Sequence, residues 1–259
     1  MFLDKAGHDE FEFEKVQDLE SWRVAQQTSE VSETSEVLAG MINASRVTES
    51  EWNFSVGKNA GLFEKLSECL PKLGDVANIF VGLQTSADDV FIMDLVEEKQ
   101  NSIRLKSKAL NTEWVFEKDL LFPIVSGTDV VRYQDLPERQ YVLFPYEIKD
   151  DKASLLDIAY IQKEYPKTAN YLLENKKQLE DREKGKMKGS RWHGYIYLKN
   201  MTRQSIQKLC VPRLVDRLYA TYDVQAIHFL DNVDVGGLTL KVGFEEQGLL
   251  YLLGFFSFR

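Results

Sequence analysis

Residues 73–95 read LGDVANIFVGLQTSADDVFIMDL, two apolar stretches separated by a short polar loop. The second stretch, residues 90–95, has the length and composition of a β-strand. Gly82 opens the loop, where the missing Cβ atom permits a turn. The loop then offers three candidate binding side chains: Gln84, Thr85 and Ser86. The same residues also fit an ordinary turn, in which Asp88 and Asp89 cap a neighbouring element.

Upstream of this stretch the sequence is weakly organised. Residues 62–70 have apolar positions at a helical spacing and are followed by Pro71, which predicts a helix ending there. Residues 1–60 predict a linker, because residues 26–36 (QQTSEVSETSE) are polar and rich in Ser, Thr and Glu. Three aromatic residues suggest that parts of this segment pack: Trp22, Trp52 and Phe54.

Downstream, short strands alternate with helical patterns. Strands are predicted at residues 114–116, 120–125, 141–144, 209–211, 219–222, 227–230 and 238–242, with a turn at 126–129. Helical spacing covers residues 153–160 and 165–182, and residues 184–191 (KGKMKGSR) predict a flexible basic loop. Residues 249–256 resemble the start of a helix that stops abruptly, so we expect a truncated C-terminus. Together these patterns predict an α+β fold: a mixed, mostly antiparallel sheet of short strands with packed helices, preceded by a helical or linker segment.

Composition predicts a globular protein of the reducing cytoplasm. The 259 residues are 44% hydrophobic and 28% charged, enough for one large domain or two small ones. The sequence contains no run of eighteen apolar residues, so we expect no membrane partner. The acidic N-terminus does not have the pattern of a signal peptide. Two cysteines, Cys69 and Cys210, lack disulfide or metal spacing and predict free thiols.

Charge is unevenly distributed along the chain. The net charge is −9, which disfavours a polyanionic partner. Residues 1–60 carry 12 acidic and 5 basic side chains, whereas residues 171–220 carry 5 acidic and 12 basic ones. Screening confines electrostatic attraction to about 10 Å, so a local basic strip can bind a polyanion on an acidic protein. The basic residues between 171 and 220 are equally explained as the solvent-exposed faces of helices.

The sequence contains no recognisable catalytic or metal-binding motif. It has no phosphate-binding loop, no G-x-G-x-x-G or G-x-S-x-G pattern, and only isolated prolines, which excludes a Pro-Pro catalytic loop. The three histidines, His8, His193 and His228, lack metal-ligand spacing. We therefore predict no catalytic or metal-ligating residue in this chain.

Cations interleaved with aromatic residues form further candidate binding segments. Arg132 could donate to a phosphate, or alternatively pair with Asp129 inside the protein. The basic loop and the segment after it add aromatic and cationic side chains suited to stacking or to phosphate contacts. The remaining candidates are Lys184, Lys186, Lys188, Arg191, Trp192, Tyr195, Arg203, Arg213 and Arg217. Each segment taken alone is also explained by ordinary structural roles.

Taken in order, short motifs along residues 62–253 match one family pattern. They are LGD (73–75), GLQT (82–85), DVF (89–91), LFP (121–123), Gly127, Asp129, RY (132–133), LFPY (143–146), YL (171–172), Lys177, Leu179, Arg182 and WHGY (192–195). The ordered set resembles the TaqI-like specificity (target-recognition) domain. That domain follows the catalytic domain of adenine-specific DNA methyltransferases, including single-chain type II restriction–modification enzymes.

The resemblance implies a division of labour. Residues 61–259 would be the target-recognition domain, and residues 1–60 would join it to a catalytic domain absent from this sequence. The implied partners are double-stranded DNA and a catalytic methyltransferase domain, in cis or in trans. S-adenosylmethionine would bind that catalytic domain, which leaves this chain without a cofactor and non-catalytic by itself. Two alternatives stay open: an inactive fragment of a fused restriction endonuclease–methyltransferase, or a phage-defence or protein–protein adaptor that reuses the fold.

Overall fold

The computed structural model describes residues 7–16, 18–20, 22–23, 37–47, 54, 56, 60–244 and 248–257. The chain divides into two compact units, Met1–Lys72 and Leu73–Arg259. Helices accompany sheets whose strand pairs are antiparallel with few exceptions, so the predicted α+β class is confirmed.

The first unit contains a β-hairpin where the sequence predicts a linker. Strands β1 (Glu10–Val16) and β2 (Val37–Asn43) pair antiparallel in full register. A 3-10 helix, Ala44–Arg46, follows directly, and helix α1 (Ala60–Glu68) confirms the predicted helix before Pro71. The polar stretch 26–36 and Trp52 lie outside the described residues.

Aromatic packing in this unit supports the hairpin. The Phe54 ring stands edge-on to Phe11 and Phe13, with ring centroids 5.5 and 5.3 Å apart. The indole N–H of Trp22 donates to the Glu14 carboxylate at 3.3 Å. The predicted packing of Trp22 and Phe54 is therefore confirmed.

The second unit is built on two larger sheets and a two-stranded hairpin. In chain order its elements are α2 (Leu73–Val76), β3 (Ala77–Val81), α3 (Asp88–Phe91), β4 (Ile92–Glu98), β5 (Ile103–Ser107), β6 (Glu113–Phe116), β7 (Leu121–Val125), β8 (Gln140–Leu143), β9 (Tyr146–Lys149), β10 (Lys152–Leu155), α4 (Ile158–Glu164), α5 (Pro166–Glu174), α6 (Lys176–Glu180), α7 (Arg182–Gly185), β11 (Lys208–Pro212), β12 (Thr221–Asp223), β13 (Phe229–Leu230), β14 (Val235–Leu240) and α8 (Gly248–Ser257). Short 3-10 helices span Gly127–Asp129 and Met201–Arg203.

The larger sheet has the strand order β13-β7-β8-β4-β5-β6, and only its β13–β7 pair is parallel. The smaller sheet, β12-β11-β14-β3, is antiparallel throughout. Helix α5 packs on the larger sheet through Tyr171, whose hydroxyl donates to the Val90 carbonyl at 2.7 Å. Helix α8 packs on the smaller sheet through Phe256. Both sheets therefore bury one face against helices.

One helix prediction is wrong and another is confirmed only in part. The segment 153–160 begins as strand β10, because Asp150 and Asp151 adopt left-handed conformations (φ 49° and 55°) and turn the chain into a hairpin with β9. The segment 165–182 is helical but not continuous: it forms α5 and α6, which are separated at Asn175, and α6 ends before Asp181. Hairpin formation and tertiary contacts override the helical spacing at both places.

Candidate nucleic-acid interface

The loop at residues 82–87 connects the two sheets of the second unit. The Leu83 amide donates to the Leu230 carbonyl at 2.8 Å, beside a parallel bridge between Leu83 and Asp231. A Cβ atom at Gly82 would overlap the Leu230 carbonyl oxygen. Gly82 is therefore required by close backbone approach, and its φ is not in the left-handed range.

Within this loop the three predicted contacts have different surroundings. Thr85 is fully buried; its hydroxyl donates to the Asp88 carboxylate and accepts from the Ala87 amide. These bonds close a local turn, but Asp88 and Asp89 do not cap a neighbouring element as the alternative interpretation had it: the cap residue of helix α3 is Ala87, and no side chain hydrogen-bonds there. Gln84 is exposed, and Ser86 is half-buried with a left-handed backbone (φ 60°). Gln84 and Ser86 are thus the loop's accessible candidates.

Arg182 joins this loop to the segment that follows the basic loop. Its guanidinium donates to the carbonyls of Thr85 (3.2 Å), Trp192 (2.8 Å) and Gly194 (2.8 Å), and its Nε donates to that of Leu179. The side chain is buried, and burial lowers its pKa from the ordinary value. We call this arrangement the Arg182 junction. It fixes the ends of two loops that are almost 100 residues apart in sequence.

The basic loop itself begins in an unusual backbone conformation. Glu183 (φ 45°), Lys184 (φ 60°) and Gly185 (φ 83°) are consecutive left-handed residues. The loop and the Tyr197 side chain line an open depression of about 590 Å³. The charged residues of its lining are Glu183, Lys186, Lys188 and Arg191. The last three were predicted binding residues, and the fold brings them to one surface.

Two predicted aromatic contacts, Trp192 and Tyr195, lie in the core. The Tyr195 hydroxyl donates to the Leu143 carbonyl at 2.6 Å, and its amide donates to the Tyr146 hydroxyl. Burial raises the pKa of Tyr195 well above its usual value. Trp192 is buried beneath Lys176, whose Nζ lies 5.5 Å from the ring centroid. The two rings pack in the core directly after the basic loop and are not exposed for stacking on bases.

The four predicted binding residues that remain are arginines on other segments of the second unit. Arg132 donates to the carbonyls of Leu218 and Phe256, both at 3.2 Å, so it contacts the end of α8 rather than Asp129. The Asp129 carboxylate instead accepts from the Ser126 amide and hydroxyl. Arg203 stands over the Phe80 ring. Arg213 and Arg217 are exposed.

A series of contacts links these loops. The Arg213 guanidinium donates to the Asn232 carbonyl at 3.0 Å, and Asp231 forms the bridge to Leu83. The Asp234 carboxylate accepts from the Gly127 amide at 2.7 Å. The turn at residues 231–234 thus connects the loop at 82–87, the turn at 126–129 and Arg213, and the Arg182 junction adds the segment that follows the basic loop. The predicted segments form one contiguous network of loops.

A buried ionic cluster was not foreseen from the sequence. Lys208 Nζ lies 2.7 Å from the Asp223 carboxylate, which also accepts from His228 Nδ1 at 3.0 Å. Burial alone would raise the pKa of Asp223, but the His228 and Lys208 contacts lower it overall. Because the Lys208 ammonium also donates to the Gln204 carbonyl, the cluster ties β11 to β12 and to the preceding turn. Its role is structural.

The described residues contain neither a cluster of metal ligands nor a membrane-spanning helix. In the parts of the chain that the structure describes, no three His, Cys, Asp or Glu side chains are grouped so as to hold a metal ion. Among the same residues, none of the helices combines the length and apolar character that a membrane span requires.

Comparison with known proteins finds a relative among restriction–modification enzymes. The chain is 26% identical over 192 residues to the type II restriction enzyme and methyltransferase RM.Eco57I of Escherichia coli. The match covers 71% of this chain but 18% of that protein, so the chain spans less than a fifth of its relative. No family model matches the chain, and the resemblance to the TaqI-like specificity domain stays a prediction. The similarity indicates a protein related to restriction–modification enzymes.

Proposed function

We propose that this chain recognises double-stranded DNA as the target-recognition part of a restriction–modification adenine methyltransferase, and does not itself catalyse methyl transfer. The observation that carries the proposal is the Arg182 junction. It fixes the loop at residues 82–87, in which Gln84 is exposed and Ser86 half-buried, to the segment that ends the cationic loop at residues 184–191. Sequence-specific DNA binding needs both kinds of contact on one rigid support.

The two loops would divide the work. Lys184, Lys186, Lys188 and Arg191 carry exposed charges suited to phosphate oxygens, which position the protein without reading sequence. Gln84 is suited to base edges, because its amide can pair with both N6 and N7 of adenine in the major groove. Such a bidentate contact contributes about 1–3 kcal/mol of discrimination against a wrong base. Arg213 and Arg217, exposed on the same network of loops, would add further contacts.

The methylation chemistry would belong to a catalytic domain in cis or in trans. That domain would take an adenine out of the base stack and transfer a methyl group from S-adenosylmethionine to its exocyclic amine. The name of the Escherichia coli relative combines restriction and methyltransferase activities, which supports the proposal that this chain acts beside such a domain. The described residues of this chain would contribute recognition and orientation.

The test is duplex binding by fluorescence anisotropy between 50 and 200 mM salt. We expect Lys186→Glu with Lys188→Glu to weaken binding at least about tenfold for every duplex sequence, because a phosphate contact does not depend on which bases are present. The matched control is Lys149→Glu with Lys163→Glu, which reverses two exposed cations on β9 and α4. Equal binding by both double variants, or affinity without salt dependence, would reject the DNA interface and favour a protein-binding adaptor.

A further inference from the structure

The backbone at the start of the basic loop is held in a conformation that L-residues rarely adopt. Glu183 and Lys184 are both left-handed without being glycine. Strain of this kind persists only where surrounding contacts enforce it, and it concentrates at binding sites. The contacts of the Glu183 side chain therefore indicate what the strained turn achieves.

The Glu183 carboxylate is bound inside the depression described above. It accepts a hydrogen bond from the Tyr197 hydroxyl at 2.7 Å and lies 3.0 Å from Lys186 Nζ. The Glu183 side chain is 31% exposed, whereas Lys186 is 75% exposed. Glu183 is thus the less exposed partner of this ion pair.

Glu183 is also the one anion among the described charged side chains that line this depression; the others are Lys186, Lys188 and Arg191. The Tyr197 and Lys186 hydrogen bonds lower the pKa of Glu183, so the carboxylate is ionised at neutral pH. A carboxylate and a phosphodiester both present anionic oxygens that accept from an ammonium and a phenol. Lys186 contacts the carboxylate directly, and Lys188 and Arg191 line the same depression, so a phosphate bound there would find cationic partners.

We propose that the Glu183 carboxylate occupies, in the unbound protein, the position that a phosphate of the DNA backbone takes in the complex. The inference rests on the proposed function. When a duplex binds, Lys186 and Tyr197 exchange the carboxylate for a phosphate oxygen, and Glu183 turns to solvent. One anion replaces another, so this contact adds little net attraction for DNA. Glu183 therefore limits the affinity that the basic loop would otherwise have for any duplex.

The exchange predicts a distinct salt dependence. A lysine that binds phosphate normally releases about one counterion from DNA and steepens the salt dependence of affinity by about one unit. In this protein the freed carboxylate attracts a cation when Lys186 leaves it, which cancels that gain. Removing the carboxylate should therefore steepen the slope by about one unit and tighten binding by the same factor for every sequence.

The experiment measures duplex affinity for Glu183→Gln, Glu183→Asn and the wild-type chain at several salt concentrations, with two unrelated duplex sequences. Asparagine tolerates the left-handed backbone, so Glu183→Asn guards against loss of the turn itself. Glu180→Gln is the matched control, because it removes a charge on α6 that pairs with Lys176 outside the depression. We expect both Glu183 variants to bind both duplexes about threefold tighter or more at 50 mM salt, and Glu180→Gln to bind as the wild type does.

The outcomes separate this inference from the proposed function. If the wild-type chain binds DNA and Lys186→Glu with Lys188→Glu weakens it, but the Glu183 variants bind no tighter, the inference is overturned and the function stands. The inference is likewise overturned if Glu180→Gln tightens binding equally, because the effect would then be one of net charge. If neither the wild type nor any variant binds a duplex, the proposed function is rejected and the inference with it.

Discussion

At the scale of single residues, burial decides which of the predicted contacts can meet a partner. Thr85, Trp192 and Tyr195 are buried, whereas Gln84 and the cations of the basic loop are exposed. The sequence shows which residue types are suited to DNA contacts. It does not show which of them are buried, because the same hydroxyls and rings also hydrogen-bond to buried carbonyls and fill the core. Arg182 was noted in the sequence only as a matched position of the family pattern, and nothing there indicated that its guanidinium is buried.

Arg182→Lys tests the Arg182 junction. A lysine retains the charge but loses the planar fork of donors, so several of the four carbonyls now bound would lose their partners. We expect the free energy of unfolding to fall by about 3 kcal/mol or more, measured by urea denaturation. Lys177→Met, at an exposed position on α6, is the control and should change stability little. A variant as stable as the wild type would contradict the structural role of the guanidinium.

At the scale of elements, close approach and capping fix how strands and helices join. Short strands such as β7 and β11 were predictable, because their apolar composition and bounding turns are local signals. The pairing of β9 with β10 was not recognised, although consecutive aspartates at 150 and 151 suit the left-handed turn of a two-residue hairpin. The parallel pairing of β13 with β7 depends on residues more than 100 positions apart and has no local signature.

Gly82→Ala tests the join between the two sheets. The added methyl group would overlap the Leu230 backbone, which a neighbouring side-chain movement cannot relieve. We expect a loss of about 2 kcal/mol or more in the free energy of unfolding. Gly74→Ala is the matched control, since a Cβ atom there meets nothing within 4 Å and the residue lies in helix α2. Equal stability of the two variants would count against the close approach.

Glu117→Gln tests the N-terminal cap of helix α5. Burial would raise the pKa of Glu117, but hydrogen bonds from its own backbone and from Lys167 and Thr168 lower it overall. A lowered pKa means that the ionised carboxylate stabilises the fold at neutral pH, and that this stabilisation is lost as the pH falls below about 4. We expect the wild type to be more stable than the variant at pH 7, with the difference shrinking toward pH 3. Urea denaturation across this range measures it; a difference independent of pH would contradict the assignment.

At the scale of the whole molecule, the uneven distribution of charge along the sequence coincides with the division into two compact units. The acidic excess of residues 1–60 and the basic excess of residues 171–220 belong to different compact units, because the units divide between Lys72 and Leu73. The net charge of −9 therefore describes neither unit. The sequence predicted the fold class and the charge segregation, since both are sums over many residues, but the hairpin of the first unit depends on a pairing across the polar stretch.

A shortened chain of residues 73–259 tests this division. Both sheets and the network of loops lie within it, so we expect it to unfold cooperatively, with a Tm within about 5 °C of the corresponding transition in the full chain. Circular dichroism during thermal unfolding provides the measurement. Loss of the cooperative transition would show that the first unit is needed for the second to fold.

The Arg182 junction also has a consequence for any attempt to alter what the protein recognises. If residues 82–87 alone were replaced by those of a homologous protein, the new segment would have to place a backbone carbonyl where that of Thr85 now accepts from the Arg182 guanidinium. An exchange of residues 82–87 should therefore include residues 182–194 as well, because the Trp192 and Gly194 carbonyls accept from the same guanidinium. Engineered swaps that respect this pairing should retain folding, whereas swaps of either half alone should misfold before altered recognition can be observed.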